Sequence, residues 1–235
     1  KEIYMHIVEV LAGEIKKGEE VSLVLNQKKR NSIRRNHTAT HLLHKALKEV
    51  VGDHVQQAGS LVSEDRLRFD FSHFEGLTKE QVVKIESIVN EEIFENHKVT
   101  VTHMDINEAK AKGAQALFGD KYGDVVRVVE AGDYSMELCG GTHVDNTGEI
   151  GLFNIVQEQG IAAGVRRIEA TTGYGTYKAV THMEEELEEI AEMLKTDVKG
   201  LAKKVQKMIH DYKDTQKELE RANSKLSTYE ANSLF

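Results

Sequence analysis

At 235 residues, with 40% hydrophobic and 30% charged side chains, the chain has the composition of an ordinary soluble protein of one large or two modest domains. No apolar run approaches the roughly 20 residues that cross a bilayer, so no membrane partner is expected. The net charge of −8 argues against sequence-independent wrapping of nucleic acid, though a local basic patch can still grip one end of an RNA. The single cysteine, Cys139, excludes an intrachain disulfide and sets the expectation of a reducing, cytoplasmic compartment.

Residues 1 to 29 read as a β-hairpin: Ile3 to Leu11 and Val21 to Leu25 are β-rich, and Gly13 to Glu20 carries turn residues. Two strands alone are too small to be stable, so the pair is expected to be the tail of a preceding β-domain. The start at Lys1, inside this pattern, suggests a piece of something longer. From Arg30 to Val50 apolar residues recur at helical spacing, and Gly52 supplies the stop. A hairpin follows, Ala58 to Val62 and Leu67 to Phe71 around a turn at residues 63 to 65. Thr78 and Gln81 form a capping box that opens a helix through about Glu95. Val99 to Met104 alternates as a strand, and Asn107 is the expected cap of a short helix ending near Gly113. Further strands are readable at Val125 to Val129, Leu152 to Gln157 and Val165 to Thr171. Hairpins mixed with separate helices, without strict βαβ alternation, predict an α+β fold.

The last sixty residues differ. Apolar positions step by three and four from Val180 to Leu194 and again from Leu201 to Tyr229. Two consecutive four-residue steps around Leu194 and Val198 are a stutter, and Thr196, Asp197 and Gly200 predict a break between two helices there. The seam reads equally well as a packing face or as a coiled-coil arm that makes a homodimer.

His37 and His41 stand four residues apart on one helix, where both rings project from the same face and can share a metal. The glutamate that follows the first histidine in zinc peptidases is replaced by Thr38, which counts against peptidase chemistry. Cys139-Gly-Gly-Thr-His143 offers a second pair of donors, with Gly140 and Gly141 expected to allow a tight turn through positive φ. Three imidazoles and one thiolate make a nitrogen-rich set of the kind zinc takes. Four protein ligands suit a closed structural staple, whereas catalysis requires a loosened ligand or a fifth position; both readings stay open. His44 is expected at the surface or behind the ligands. Arg34, Arg35, Arg166 and Arg167 are the candidate phosphate-gripping side chains.

Six blocks then resemble the editing domain of alanyl-tRNA synthetases: residues 35 to 44 (Arg-Asn-His-Thr-Ala-Thr-His-Leu-Leu-His), 59 to 62, 68 to 73, 112 to 122, 138 to 143 and 164 to 170. The resemblance implies zinc ligated by His37, His41, Cys139 and His143. It places Thr40 and Gln57 in the catalytic site, at positions associated with recognising a seryl substrate. It implies hydrolysis of mischarged Ser-tRNA(Ala) and Gly-tRNA(Ala), with no aminoacylation domain in this chain. It divides the chain into the tail of a β-barrel (1–29), the editing domain (30–175) and a helical linker or oligomerisation segment (176–235). A free-standing editing protein and a non-catalytic, zinc-stapled tRNA-binding module are the alternatives.

Overall fold

A computed structural model describes residues 5–116 and 122–232; Ile3 and Tyr4 of the expected first strand, and residues 117–121 of the block at 112 to 122, lie outside that range. The expected N-terminal hairpin does not form within residues 5–26, which are exposed and carry no strand, only a turn closed by the Glu19 N–H on the Lys16 carbonyl. Val8, Val10, Val21 and Val24 are exposed, and two strands alone bury too little surface to hold together.

Regular structure begins with α1 (Gln27–Val51), capped by Asn26, whose side chain accepts from the Lys29 N–H. The helix ends at Gly52, whose φ of 132° favours glycine and whose N–H bonds the Lys48 carbonyl. The hairpin of β1 (Gln57–Val62) and β2 (Leu67–Ser72) follows, then α2 (Lys79–Phe94) behind the Thr78–Gln81 capping box. Next come β3 (Val99–Asp105) and α3 (Ile106–Ala111). The cap of α3 is Asp105 and not the expected Asn107: the Asp105 carboxylate accepts from the Asn107 and Glu108 N–H groups, so Asn107 lies inside the first turn. The strands β4 (Val125–Ala131), β5 (Ser135–Leu138), β6 (Phe153–Ala162) and β7 (Val165–Thr172) precede α4 (Tyr174–Met193) and α5 (Leu201–Asn232). The break between the last two helices falls at the stutter, where Asp197 accepts from the Gly200 N–H.

The fold is α+β with two antiparallel sheets, one ordered β1-β2-β7-β6 and one ordered β3-β4-β5. The larger sheet packs on α1 and α2 through Phe69 and Phe71 of β2, Ile168 and Ala170 of β7 and Phe153 of β6, all buried. Against them lie Leu42, Leu43, Ala46 and Leu47 of α1 and Ile85, Val89 and Ile93 of α2. A second, smaller core gathers Ala109, Val126, Val128 and Leu138 under the three-stranded sheet. Because α1 is covered on nearly all sides, its polar residues Asn36, Thr38, Thr40, His41 and His44 are buried too. A buried polar side chain has to find partners inside the protein. Asn36 bonds the Ser63 carbonyl and the Thr172 hydroxyl, tying the helix to the sheet.

Candidate metal centre

The middle of α1 presents His37 and His41 on one face, with ring centroids 5.4 Å apart and planes nearly perpendicular. Opposite them, β5 ends at Leu138 and the chain turns back through Cys139 to His143. The His143 ring lies 4.3 Å from that of His37 and 4.6 Å from that of His41. Cys139 Sγ stands 3.4 Å from His37 Nε2 and 3.4 Å from His143 Nε2. The donor atoms of His37, His41, Cys139 and His143 all fall within 4.8 Å of one another. Zinc bonds of about 2.3 Å to sulfur and 2.0–2.1 Å to nitrogen, opened to a tetrahedral angle, place S and N about 3.6 Å apart. The donor spacing here fits such an ion.

The two glycines of the turn do not serve the purpose their sequence suggests. Neither Gly140 nor Gly141 has positive φ. A Cβ on Gly140 would meet nothing within 4 Å, whereas one on Gly141 would overlap the His37 ring. Gly141 is there for room: the His37 imidazole occupies the space that a side chain would need.

Protonation favours ligation. Burial holds the His41 pKa well below its ordinary value, with the neighbouring histidines adding to the effect. Burial likewise lowers His37, and it lowers His143 to about 3 with help from His37, Arg127 and Arg34. All three imidazoles are therefore neutral and hold lone pairs at neutral pH. The Cys139 thiol is pushed up by burial, so a cation that binds must displace its proton.

Three further residues, missed from sequence, hold the cluster. The Thr38 hydroxyl donates to the Arg34 carbonyl at 3.1 Å, accepts from the Val144 N–H at 3.2 Å, and lies 3.1 Å from His143 Nδ1. Its one proton is spent on the carbonyl, so Nδ1 carries the proton of that contact and the Nε2 lone pair faces the cluster. Glu137 is 2% exposed; Oε1 lies 2.8 Å from His44 Nδ1 and Oε2 lies 3.5 Å from His41 Nε2. His44 is thus buried behind the ligands, against Glu137. Arg127, on β4, donates through Nη1 to the Cys139 carbonyl. Glu137 had a legible signal: it stands two residues before Cys139, hence on the same face of an extended chain.

A family model described as the threonyl and alanyl tRNA synthetase second additional domain matches residues 126–169. The alanine–tRNA ligase of Alkaliphilus oremlandii is 54% identical over 223 residues, which is 95% of this chain and 25% of that protein. That of Fusobacterium nucleatum is 54% identical over 230 residues, 98% of this chain and 26% of its own length. That of Bacillus velezensis is 53% identical over 232 residues, with 99% and 26% covered. The chain belongs to the alanyl-tRNA synthetase family. It spans about a quarter of the length of the curated relatives it matches.

The other residues singled out from the sequence take up varied positions. Thr40 is buried and its hydroxyl donates to the Asn36 carbonyl at 2.8 Å; Gln57 opens β1, half-buried, opposite Phe71. Neither bonds a cluster side chain among the described residues. Arg34 donates to the His143 carbonyl and pairs with Asp145 at 2.9 Å, and Arg35 donates to the Glu149 carbonyl. Both therefore bind the 143–149 segment to α1. Arg166 forms a two-pronged pair with Glu158 at 2.6 and 2.8 Å, and Arg167 another with Asp70 at 2.7 and 2.8 Å. These four guanidinium groups are engaged inside the fold. Of them, only Arg34 lines either of the two cavities that flank the cluster. One cavity, of about 500 Å³, opens beside His143; the other, of about 300 Å³, opens beside Cys139, and Arg127 forms part of both walls.

Proposed function

We propose that this chain carries the hydrolytic editing activity of its family: it cleaves the seryl or glycyl ester from mischarged alanine tRNA and spares the alanyl ester. The observation that supports this best is the four-donor cluster with open, arginine-lined space on two sides. Zinc is the ion that suits three neutral imidazoles and a thiolate. In this reading residues 30–175 are the editing domain, 1–29 the tail of a β-barrel and 176–235 a helical linker that can pair with a second copy; the partner is tRNA and the compartment cytoplasmic. Among the described residues no helix is long and apolar enough to cross a membrane.

The need for such a site is physical. A pocket built for alanine cannot strongly reject smaller glycine, nor serine, which adds one hydroxyl, so a second, hydrolytic site supplies the missing discrimination. When bound, zinc supplies a Lewis acid that polarises the ester carbonyl or acidifies a water. The protein's own part is positioning. Thr38 fixes the His143 tautomer, Glu137 and His44 back His41, and Gly141 leaves room for His37. The Thr40 hydroxyl already gives its proton to the Asn36 carbonyl, so toward a seryl hydroxyl it acts as acceptor, with Gln57 as the donor.

The test is to incubate the purified chain with seryl- and alanyl-tRNA of the alanine type and follow deacylation. The seryl ester should disappear well above the buffer blank while the alanyl ester persists. A seryl rate equal to the blank would leave only the zinc-stapled, non-catalytic reading.

A further inference from the structure

The cavity of about 500 Å³ beside His143 has a composition that the cluster does not explain. It is walled by Arg30, Arg34 and Arg127, with Asp145 as its one carboxylate, and Val99 and Val101 supply an apolar side. Asp145 is spent on Arg34, and Arg34 Nε on the His143 carbonyl. Arg127 commits one N–H to the Cys139 carbonyl and, among the described residues, keeps the rest of its five donors. Arg30, half-buried in the first turn of α1, has no side-chain hydrogen bond or ion pair among the described residues. Among the described residues, two guanidinium groups thus line one concave space with donors unspent and no carboxylate left over to pair with them, beside a metal cluster that would add more positive charge. Such a site calls for an anion, and fork-shaped donors suit the oxygens of a phosphate. A volume of this size holds a small ligand, and the valine wall suits a base or ribose.

We propose that this cavity binds a nucleotide by its phosphate, with Arg30 and Arg127 as the clamp, so that Arg30 and Arg127 rather than Arg166 and Arg167 are the side chains that set substrate position beside the cluster. The assignment rests on the editing reading for the source of the nucleotide, the 3′ end of an RNA, but the phosphate chemistry is the same for a free mononucleotide.

The experiment measures binding of adenosine 5′-monophosphate and of adenosine to the zinc-loaded full chain by calorimetry. It adds competition by an RNA hairpin that ends in a single-stranded 3′ tail. The monophosphate should bind at least tenfold more tightly than adenosine. Arg30→Gln should remove most of that difference, leaving adenosine binding, zinc content and Tm unchanged. Arg127→Lys, which keeps the charge but loses the fork, should weaken the monophosphate severalfold. Displacement by the hairpin assigns the site to an RNA end, whereas monophosphate binding that the hairpin does not displace assigns it to a free nucleotide. Equal affinity for monophosphate and adenosine, or an Arg30→Gln variant that keeps the wild-type preference, would overturn the proposal. Those results leave the deacylation assay untouched: seryl-ester hydrolysis with a neutral Arg30→Gln removes the clamp alone, and a working clamp without hydrolysis removes the editing reading alone.

Discussion

Gly141→Ala places a methyl group where the His37 ring now lies, although position 141 is exposed to no obvious constraint of φ. One of two things must yield, the His37 rotamer or the turn that carries Cys139 and His143, and both are parts of the cluster. A structural zinc bound by four ligands is worth about 10–16 kcal/mol, so displacing one ligand should cost on the order of 3 kcal/mol, or roughly a hundredfold in affinity. Gly140→Ala is the internal control, because its methyl would enter open space at ordinary φ; it should bind zinc like the parent. The assay is competition for zinc against a chromophoric chelator, with circular dichroism to confirm that both variants stay folded. If Gly141→Ala kept the parent affinity while remaining folded, the steric argument would be wrong. If both alanines weakened zinc equally, backbone freedom and not space would be the reason for the glycine pair.

Three other outcomes follow from the same geometry. Thr38→Val removes the acceptor that holds His143 Nδ1–H and strands the Val144 N–H, so zinc affinity should fall about 10- to 100-fold by titration against the same chelator. Metal-free protein should lose stability on acidification. His143 is neutral in the fold down to about pH 3 but gains a proton near pH 6.5 when unfolded, so its contribution is complete above that value. At ~1.4 kcal/mol per unit, about 2 kcal/mol is lost by pH 5, with His37 and His41 adding in the same sense and Glu137, whose pKa is raised, opposing; urea titration at several pH values reads this. The apolar seam of α5 is exposed at Val205, Met208, Leu219 and Leu226, so if it pairs with a second copy, Leu219→Asp should convert a dimer to a monomer in sedimentation equilibrium.

Much of the fold was legible because local signals and tertiary demands agree. The 3.6-residue period and Gly52 mark α1, the Thr78–Gln81 box marks α2, and the stutter marks the break before α5. The N-terminal hairpin was misread because strand propensity is fulfilled only against a partner surface, and residues 5–26 are exposed. The four-residue β5 was missed because Ser-Met-Glu-Leu is too short to show a period. Within the site, the four donors could be named because metal chemistry restricts residue type and spacing. Their supports could not. Gly141 answers to a ring 104 positions earlier in the chain, Glu137 to helix residues across the cluster, and Arg167 to Asp70 on a neighbouring strand. The same long-range pairings explain why the arginines that looked ready for phosphate are spent inside the fold, while Arg30 and Arg127, in no recognisable motif, face a cavity.

The most direct test of hydrolysis at this cluster is the initial rate of seryl-tRNA deacylation as zinc is added back to metal-stripped chain. The rate should climb in proportion to zinc and level off at about one equivalent per chain, and Cys139→Ala should flatten the curve. A stripped chain that hydrolyses the ester as fast as the restored one would contradict the assignment of the reaction to His37, His41, Cys139 and His143.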